Sequence, residues 1–105
     1  MTYVFDIDGT ICSTVDSNYL ESRPFASRIK VVNDLYDKGN TIIFQTARGM
    51  GRCGNDQQQA IREFKKFTED QLEEWGVKYH SLYLGKPSGD LYVDDKGIND
   101  KQFSW

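Results

Sequence analysis

The chain has 105 residues, a formal net charge of −3 and 38% hydrophobic residues, a balance typical of one ordinary folded domain. This acidic balance argues against nucleic-acid binding, which normally requires a basic face. No apolar run approaches the roughly 20 residues of a membrane-spanning helix. The first residues lead straight into a strand rather than into a signal segment, so we expect a cytoplasmic protein with no membrane partner.

The two cysteines, Cys12 and Cys53, lie far apart in the sequence, and His80 is the one histidine. A zinc site usually takes four Cys or His ligands, so this composition argues against one. We interpret the cysteines as free thiols in a reducing compartment.

The first predicted element is a short buried strand that ends in two acids. Residues 3–10 read Tyr-Val-Phe-Asp-Ile-Asp-Gly-Thr, an apolar run followed by a sharp turn. Burying Asp6 and Asp8 at one point is costly unless a cation or hydrogen-bond donors receive them. The segment therefore indicates a metal-assisted catalytic site.

The next elements are a helix and a second strand. Ser22 is a candidate cap, Pro24 suits the first turn of the helix, and Gly39 is placed to end it. Residues 41–46 form a continuous apolar run with β-branched residues and predict a buried strand. Residues 47–55 contain three glycines and predict a loop suited to close contact with a ligand.

The second half of the chain predicts one long helix and two short strands. Asn55 or Asp56 caps a helix over about residues 56–75, with Gly76 at its end. Residues 79–84 predict a third strand and residues 91–93 a fourth. The elements together favour an α/β fold with a parallel sheet. The short link between the last two strands, residues 86–90, is too short for a helical crossover.

Polar residues follow each of these strands. Asp6 and Asp8 follow the first, Thr46 ends the second, Lys86 follows the third, and the pair Asp94-Asp95 follows the fourth. In open parallel sheets, ligands bind beyond the carboxyl ends of the strands. Clustered acids suit Mg²⁺, which also binds phosphate, and a lysine with a hydroxyl suits the remaining phosphate oxygens.

These residues, in this order, resemble the four motifs of the haloacid dehalogenase-like (HAD) hydrolases. The stretches 44–52 and 85–96 are similar to those of small capless members assigned to capsule or lipopolysaccharide biosynthesis. The resemblance implies a single capless phosphatase domain over residues 1–105. Its expected fold is a three-layer Rossmann-like core with a parallel sheet and no separate cap domain.

The resemblance also implies a role for each motif residue. Asp6 would be the nucleophile and a Mg²⁺ ligand, and Asp8 the acid and base, binding the metal through its carbonyl. Asp95 would bind the metal directly and Asp94 through water, or the reverse. The phosphoryl group would be held by Thr46, Lys86 and the backbone amides of Gly9 and Ala47.

The substrate is less defined than the chemistry. Neither gap between the motifs holds a lid domain, so the substrate is either macromolecular or small and enclosed by a neighbouring subunit of a homo-oligomer. We favour a small sugar or polyol phosphate in surface-polysaccharide biosynthesis. Arg48 and Arg52 are candidate substrate-binding residues, and the alternative is that both are solvated loop charges.

Other functions are alternatives to this hydrolase. A phosphatase of a phosphoprotein or nucleic-acid end stays open, as does a non-catalytic phospho-ligand binding protein. A sugar phosphomutase normally needs a lid to exclude water. Receiver domains resemble the chain in residue types, but their acid pair precedes the phosphorylated aspartate. Singly, Thr46 and Lys86 are typical structural or surface residues, and Asp94-Asp95 is typical of a solvated strand end.

Overall fold

The computed structural model describes all 105 residues. Its helices are α1 (Ala26–Asp37) and α2 (Gln57–Glu74). Single 3₁₀ turns lie at Tyr19–Glu21 and Asp100–Gln102. The strands, in chain order, are β1 (Thr2–Phe5), β2 (Cys12–Ser13), β3 (Arg23–Pro24), β4 (Thr41–Thr46) and β5 (Ser81–Leu84).

The main sheet is parallel and has three strands in the order β1-β4-β5. Phe5 lies beside Phe44, and Phe44 lies beside Leu82. Successive residues of a strand face opposite sides of the sheet, so these three apolar side chains share one face. They belong to a core that also takes Ile29 from α1 and Leu72 from α2, with other members around them. Both helices therefore cover the same face of the sheet.

The opposite face of the sheet is open. Val4 is 59% exposed and Tyr83 is 57% exposed, and Thr41 and Gln45 are also exposed. The structure is a parallel sheet with both helices on one side, and the three-layer core stays a prediction. The α/β class and the parallel sheet are confirmed.

The predicted fourth strand is wrong. Residues 91–93 form no strand, and Leu91 and Val93 are 81% and 86% exposed. The physical reason is the length of the connection. After β5 the chain stands at the carboxyl edge of the sheet, and a further parallel strand requires a return of about a dozen residues. Residues 85–90 are too few.

Hydrogen bonds and strand pairing near the first residues of each helix explain where the helices begin. The Asp56 side chain accepts a hydrogen bond from the Gln59 amide, 3.2 Å away, and caps α2 as predicted. Ser22 does not cap α1, which begins one residue after Phe25. Instead Pro24 pairs with Cys12 in a short antiparallel hairpin of β2 and β3. Pro is tolerated there because the hairpin is all edge.

Both helices end at the predicted glycines. Gly39 has φ 94° and Gly76 has φ 71°, values that glycine adopts at little cost. The Asn40 amide donates to the Leu35 carbonyl beyond Gly39, at 3.1 Å. This closes the last turn of α1 in the manner of a Schellman motif.

The C-terminal residues pack against β1. The Phe103 ring contacts the Phe5 ring edge to face with centroids 5.7 Å apart, and Trp105 lies at the same centroid distance from Phe5. The Arg28 guanidinium of α1 lies 4.8 Å from the Trp105 ring and bonds Asp100 at 2.8 Å. The tail thus closes the core beside β1 without adding a strand. No helix is long and apolar enough to cross a membrane.

We predict that Gly49→Ala destabilises the fold more than Gly54→Ala. Both glycines have positive φ, so both variants carry the same backbone strain. A Cβ on Gly49 would lie 2.4 Å from the Phe64 ring, whereas one on Gly54 meets nothing within 4 Å. Overpacking costs about 1–3 kcal/mol, and urea denaturation should show this extra loss for Gly49→Ala. Equal losses in the two variants would contradict the close contact.

Candidate active site

The turn after β1 places two acids at the carboxyl edge of the sheet. Ile7, between them, is fully buried, and its carbonyl accepts the amides of Thr10 and Ile11 at 3.0 and 2.9 Å. Because the middle residue points into the core, the carboxylates of Asp6 and Asp8 face the surface beyond the strand end. Both line the same cavity.

This cavity, the active pocket, has a volume of about 270 Å³. It lies where the turns after β1 and β4 meet, the position where parallel sheets bind ligands. Most of its wall is polar, and the wall is formed by residues of the segments 6–19 and 46–52 together with Ser88. Its lining residues are Asp6, Asp8, Thr14, Ser17, Tyr19, Thr46, Ala47, Arg48, Gly51, Arg52 and Ser88.

Asp6 is the carboxylate whose environment is most perturbed. Burial raises the pKa of Asp6, because a half-buried carboxylate loses hydration. The positive charge of Lys86 and a bond from the Ile7 amide offset part of that rise. Perturbed acids in clefts are typical of functional sites, and Asp6 is the strand-end acid with no side-chain donor bound to it.

Asp8, by contrast, is held by a buried arginine. Arg48 Nε lies 3.0 Å from Asp8 Oδ2, and Nη2 lies 2.9 Å from Oδ1. This two-point geometry is the strong form of the arginine–carboxylate pair. The Thr14 hydroxyl donates to Asp8 Oδ1 at 2.6 Å. Asp8 is therefore oriented from two sides.

Arg48 contradicts one of its two sequence-based interpretations. It is 1% exposed, so it is not a solvated loop charge. Its third nitrogen, Nη1, lies 3.4 Å from Thr68 Oγ1 on α2, and the Tyr19 ring lies 4.9 Å from its guanidinium carbon. Three of its five N–H donors bond Asp8 and Thr68, so Arg48 positions Asp8 in the wall of the pocket, and its role in binding substrate stays a prediction.

Three predicted phosphate-binding groups differ in the hydrogen-bonding capacity that they have left for a ligand. The Thr46 hydroxyl is buried and accepts the Arg48 amide at 3.1 Å, which leaves its proton for a ligand. Ala47 lines the pocket. The Gly9 amide donates to the Cys12 carbonyl at 2.8 Å. The Gly9 amide is thus engaged in the turn, and its role as a phosphate donor stays a prediction.

Lys86 lies just past β5, at the same edge of the sheet. Its charge acts on Asp6, which is what the sequence predicted for a residue beside the acid cluster. Its ammonium group also lies 4.3 Å from the centre of the Tyr92 ring, a cation–π contact. No carboxylate forms an ion pair with Lys86, so its donors are available to an anion.

Asp94 and Asp95 lie outside the active pocket. Both are exposed, and Asp94 accepts the amides of Lys96 and Gly97, bonds that lower the pKa of Asp94. The structure does not bring them into the pocket with Asp6 and Asp8, because the fourth strand that would carry them is not formed, and their role as metal ligands stays a prediction.

The residues brought together do not fit a magnesium site. Mg²⁺ prefers six oxygen ligands in a near-octahedral shell. The active pocket offers one carboxylate without a bound donor, Asp6, while Asp8 is taken by Arg48. No group of three or more His, Cys, Asp or Glu side chains is placed to hold a metal ion.

Sequence reasoning missed the residues between Cys12 and Ser22. Thr14, Ser17 and Tyr19 line the pocket; the signal that could have identified them is a run of short polar residues directly after the acid turn. Cys12 itself is buried, and burial raises the pKa of its thiol, which favours packing over chemistry. Both cysteines are free thiols, as predicted.

Comparisons with known proteins show the fold alone. No protein-family model and no curated protein matches the chain. A crystal structure of a structural target from Vibrio cholerae superposes with a TM-score of 0.87 and 22% sequence identity. The match covers 96% of this chain and 85% of that chain. A shared fold does not by itself carry an activity.

We predict that Asp6→Asn stabilises the protein at neutral pH. A raised folded-state pKa means that the contribution of Asp6 is complete below its ordinary pKa of 3.8 and is lost as the pH rises through the folded value. Asparagine does not ionise, so the variant does not lose this contribution as the pH rises. A gain of about 1 kcal/mol corresponds to roughly 4–8 °C in Tm for a domain of this size.

Thermal unfolding between pH 4 and 7 checks this. The gain should shrink toward the acid end, while Asp90→Asn, at an exposed carboxylate with no bonded partner, should stay within about 0.5 kcal/mol throughout. A gain for Asp6→Asn that is the same at every pH would contradict the assigned cause.

We also predict unequal losses from the two sides of the Asp8–Arg48 pair. The side chain of Arg48 is 0% exposed and that of Asp8 is 26% exposed. Asp8→Ala leaves a buried unpaired cation and should cost about 3–5 kcal/mol. Arg48→Met leaves a carboxylate with some access to water and should cost less. Adding Arg48→Met to Asp8→Ala should recover part of the loss, which urea denaturation of all three variants measures. Additive losses would contradict the coupling.

Proposed function

We propose that the protein is a phosphomonoesterase that acts through an aspartyl phosphate at Asp6, on a small sugar or polyol phosphate. The support is a single arrangement. At the carboxyl edge of the parallel sheet, Asp6, whose pKa is raised, shares one pocket with the buried Thr46 hydroxyl, and the positive charge of Lys86 acts on Asp6. Asp6, Thr46 and Lys86 are the nucleophile, neutral donor and cation that transfer of a phosphoryl group requires.

The proposed chemistry has two steps. An Asp6 oxygen attacks phosphorus, the bond to the leaving oxygen breaks, and the leaving alkoxide takes a proton. Water then attacks the same phosphorus, and its proton passes to a base as the Asp6–phosphate bond breaks. In both steps Thr46 and Lys86 hold the phosphoryl oxygens, which carry the charge of the transition state.

Asp8 is the proposed acid and base, and its contacts favour one of these tasks. Arg48 and Thr14 together donate three hydrogen bonds to its oxygens, which leaves a lone pair at Oδ2 to accept a proton from water. To give a proton to the leaving group, it must first take one at Oδ1, where the Thr14 hydroxyl now donates. Arg48 fixes the plane of the carboxylate for both steps.

The HAD-type core, the capless class and the surface-polysaccharide pathway belong to this proposal. Their support is the order of the motif residues and the placement of Asp6, Asp8, Thr46 and Lys86 at one sheet edge. The expected Mg²⁺ rests on the sequence resemblance, since the donor set described above does not complete a metal site. A homo-oligomer that closes the pocket rests on the same resemblance.

A second candidate function is binding of a phosphorylated ligand without turnover. The arrangement of the acids favours it, because Arg48 is paired with Asp8 and because Asp94 and Asp95 are exposed and lie outside the active pocket. Such a protein would use Lys86 and Thr46 to bind phosphate, and Asp6 would be a spectator.

The test is hydrolysis of p-nitrophenyl phosphate, with Mg²⁺ and with chelator. We expect Asp6→Asn to lower kcat by at least about 10³-fold, because it removes the nucleophile. Lys86→Ala should lower kcat/KM by roughly 10²-fold, since a donor to the transition state is lost. Asp90→Asn is the matched control and should keep wild-type activity.

Full activity of Asp6→Asn would overturn the nucleophile, and phosphate binding without hydrolysis would favour the second candidate. Loss of hydrolysis in chelator would show that a divalent cation completes the site. Undiminished hydrolysis in chelator would remove magnesium from the proposal and leave Lys86 as the principal cation at the phosphate.

A further inference from the structure

A second concavity adjoins the active pocket. This groove, with a volume of about 390 Å³, runs between the segment 16–20 and α2. Ser17, Tyr19 and Arg52 line both concavities, so a molecule with its phosphate beside Asp6 has a direct path into the groove. The remaining lining residues are Asp16, Asn18, Leu20, Glu63, Phe64 and Phe67.

The walls of the groove combine aromatic faces with hydrogen-bonding groups. Phe64 and Phe67 supply apolar rings on one side, and Asp16, Asn18 and Glu63 supply carboxylate and amide oxygens around them. A sugar ring has this same division, with C–H faces that pack on aromatic rings and hydroxyls that donate to acceptors. The two carboxylates disfavour a further phosphate, as a nucleoside diphosphate would carry.

The groove is held in shape by contacts of Tyr19 with α2 and with the turn after β4. The Tyr19 ring packs edge to face on Phe64 at 5.5 Å, and its hydroxyl accepts the Gly49 amide at 3.2 Å. Gly49 has no side chain where the Phe64 ring lies. The Gln71 side chain donates to the Tyr19 carbonyl at 2.8 Å. The segment therefore presents a formed wall.

Arg52 stands at the junction of the two concavities. It forms no ion pair, and its guanidinium carbon lies 5.4 Å from the centre of the Phe64 ring. Its one hydrogen bond, to the Ser17 carbonyl, is long at 3.5 Å. Its donors can therefore be taken by a ligand oxygen that lies between the phosphate and the ring.

We propose that this groove is the subsite for the non-phosphate part of the substrate, and that it takes a neutral polyhydroxylated ring. The ring stacks on Phe64 and Phe67, its hydroxyls donate to Asp16 and Glu63, and Arg52 binds an oxygen near the phosphate. The inference rests on the proposed function because the phosphate beside Asp6 sets the direction of the ligand. It narrows the proposed substrate from a small sugar or polyol phosphate to a cyclic sugar phosphate.

The experiment compares esters that share the phosphate and differ in the leaving group. A hexose 6-phosphate, glycerol 3-phosphate, a nucleoside 5′-monophosphate and a phosphoserine peptide are assayed with the wild type, Phe67→Ala and Arg52→Ala. We expect the hexose phosphate to be the best substrate. Its kcat/KM relative to glycerol phosphate should fall about tenfold in Phe67→Ala, because the stacking surface is lost.

Arg62→Ala is the control for Arg52→Ala: it removes the same charge from an exposed site of α2 outside the groove, and its substrate ratio should match that of the wild type. Thermal unfolding verifies that each variant is folded. An unchanged ratio in Phe67→Ala, or preference for the nucleotide or the peptide, would overturn the subsite.

A readout without turnover separates this inference from the proposed function. Saturation-transfer NMR with the unphosphorylated hexose should show contact with the wild type and a weaker signal with Phe67→Ala. If no ester is hydrolysed but the sugar signal behaves in this way, the phosphatase fails and the subsite stands. If esters are hydrolysed but the hexose gives no saturation-transfer signal and Phe67→Ala does not change the substrate ratio, the subsite is wrong and the phosphatase stands.

Discussion

The pairing of Arg48 with Asp8 is the contact on which the geometry of the active pocket depends. It joins the turn after β1 to the turn after β4, and through Thr68 it reaches α2. A fully buried guanidinium is costly unless its donors are paired. The fold meets that condition in one arrangement, so any shift of these three elements would leave a charge unpaired. The pair thus specifies where the acid turn stands relative to the sheet.

The same pair gives the two neighbouring acids different environments. Asp8 is surrounded by donors, whereas Asp6 is half-buried with no side-chain donor and has a raised pKa. Environments that differ across a short distance are how a site assigns different tasks to chemically identical groups. The burial that raises the pKa of Asp6 also makes its ionised form costly, so Asp6 weakens the fold at neutral pH.

The sequence predicted the elements whose signals lie in neighbouring residues, such as caps and apolar runs. The bounds of β4 were predicted residue for residue, and α2 began and ended where a capping aspartate and a glycine indicated. Placement of Asp6, Asp8 and Thr46 in one pocket followed from strand order. The fourth strand failed because an apolar triplet, residues 91–93, has strand composition whatever its partners. Its place depended on a connection length, which composition does not encode.

Arg48 and the segment 14–19 were beyond sequence reasoning for a related reason. A loop arginine beside glycines is usually solvated, and burial of Arg48 depends on the ring of Tyr19 and on Thr68 of a later helix. Such a contact joins three distant parts of the chain, so no local pattern encodes it. The phosphate end of the pocket is built from strand ends, whose positions the sheet fixes. The groove is built from a loop tied to α2 and to the turn after β4 by contacts of Tyr19. Because the Tyr19 ring also packs on Arg48, a change in the shape of the groove would reach the Asp8–Arg48 pair and the acid turn.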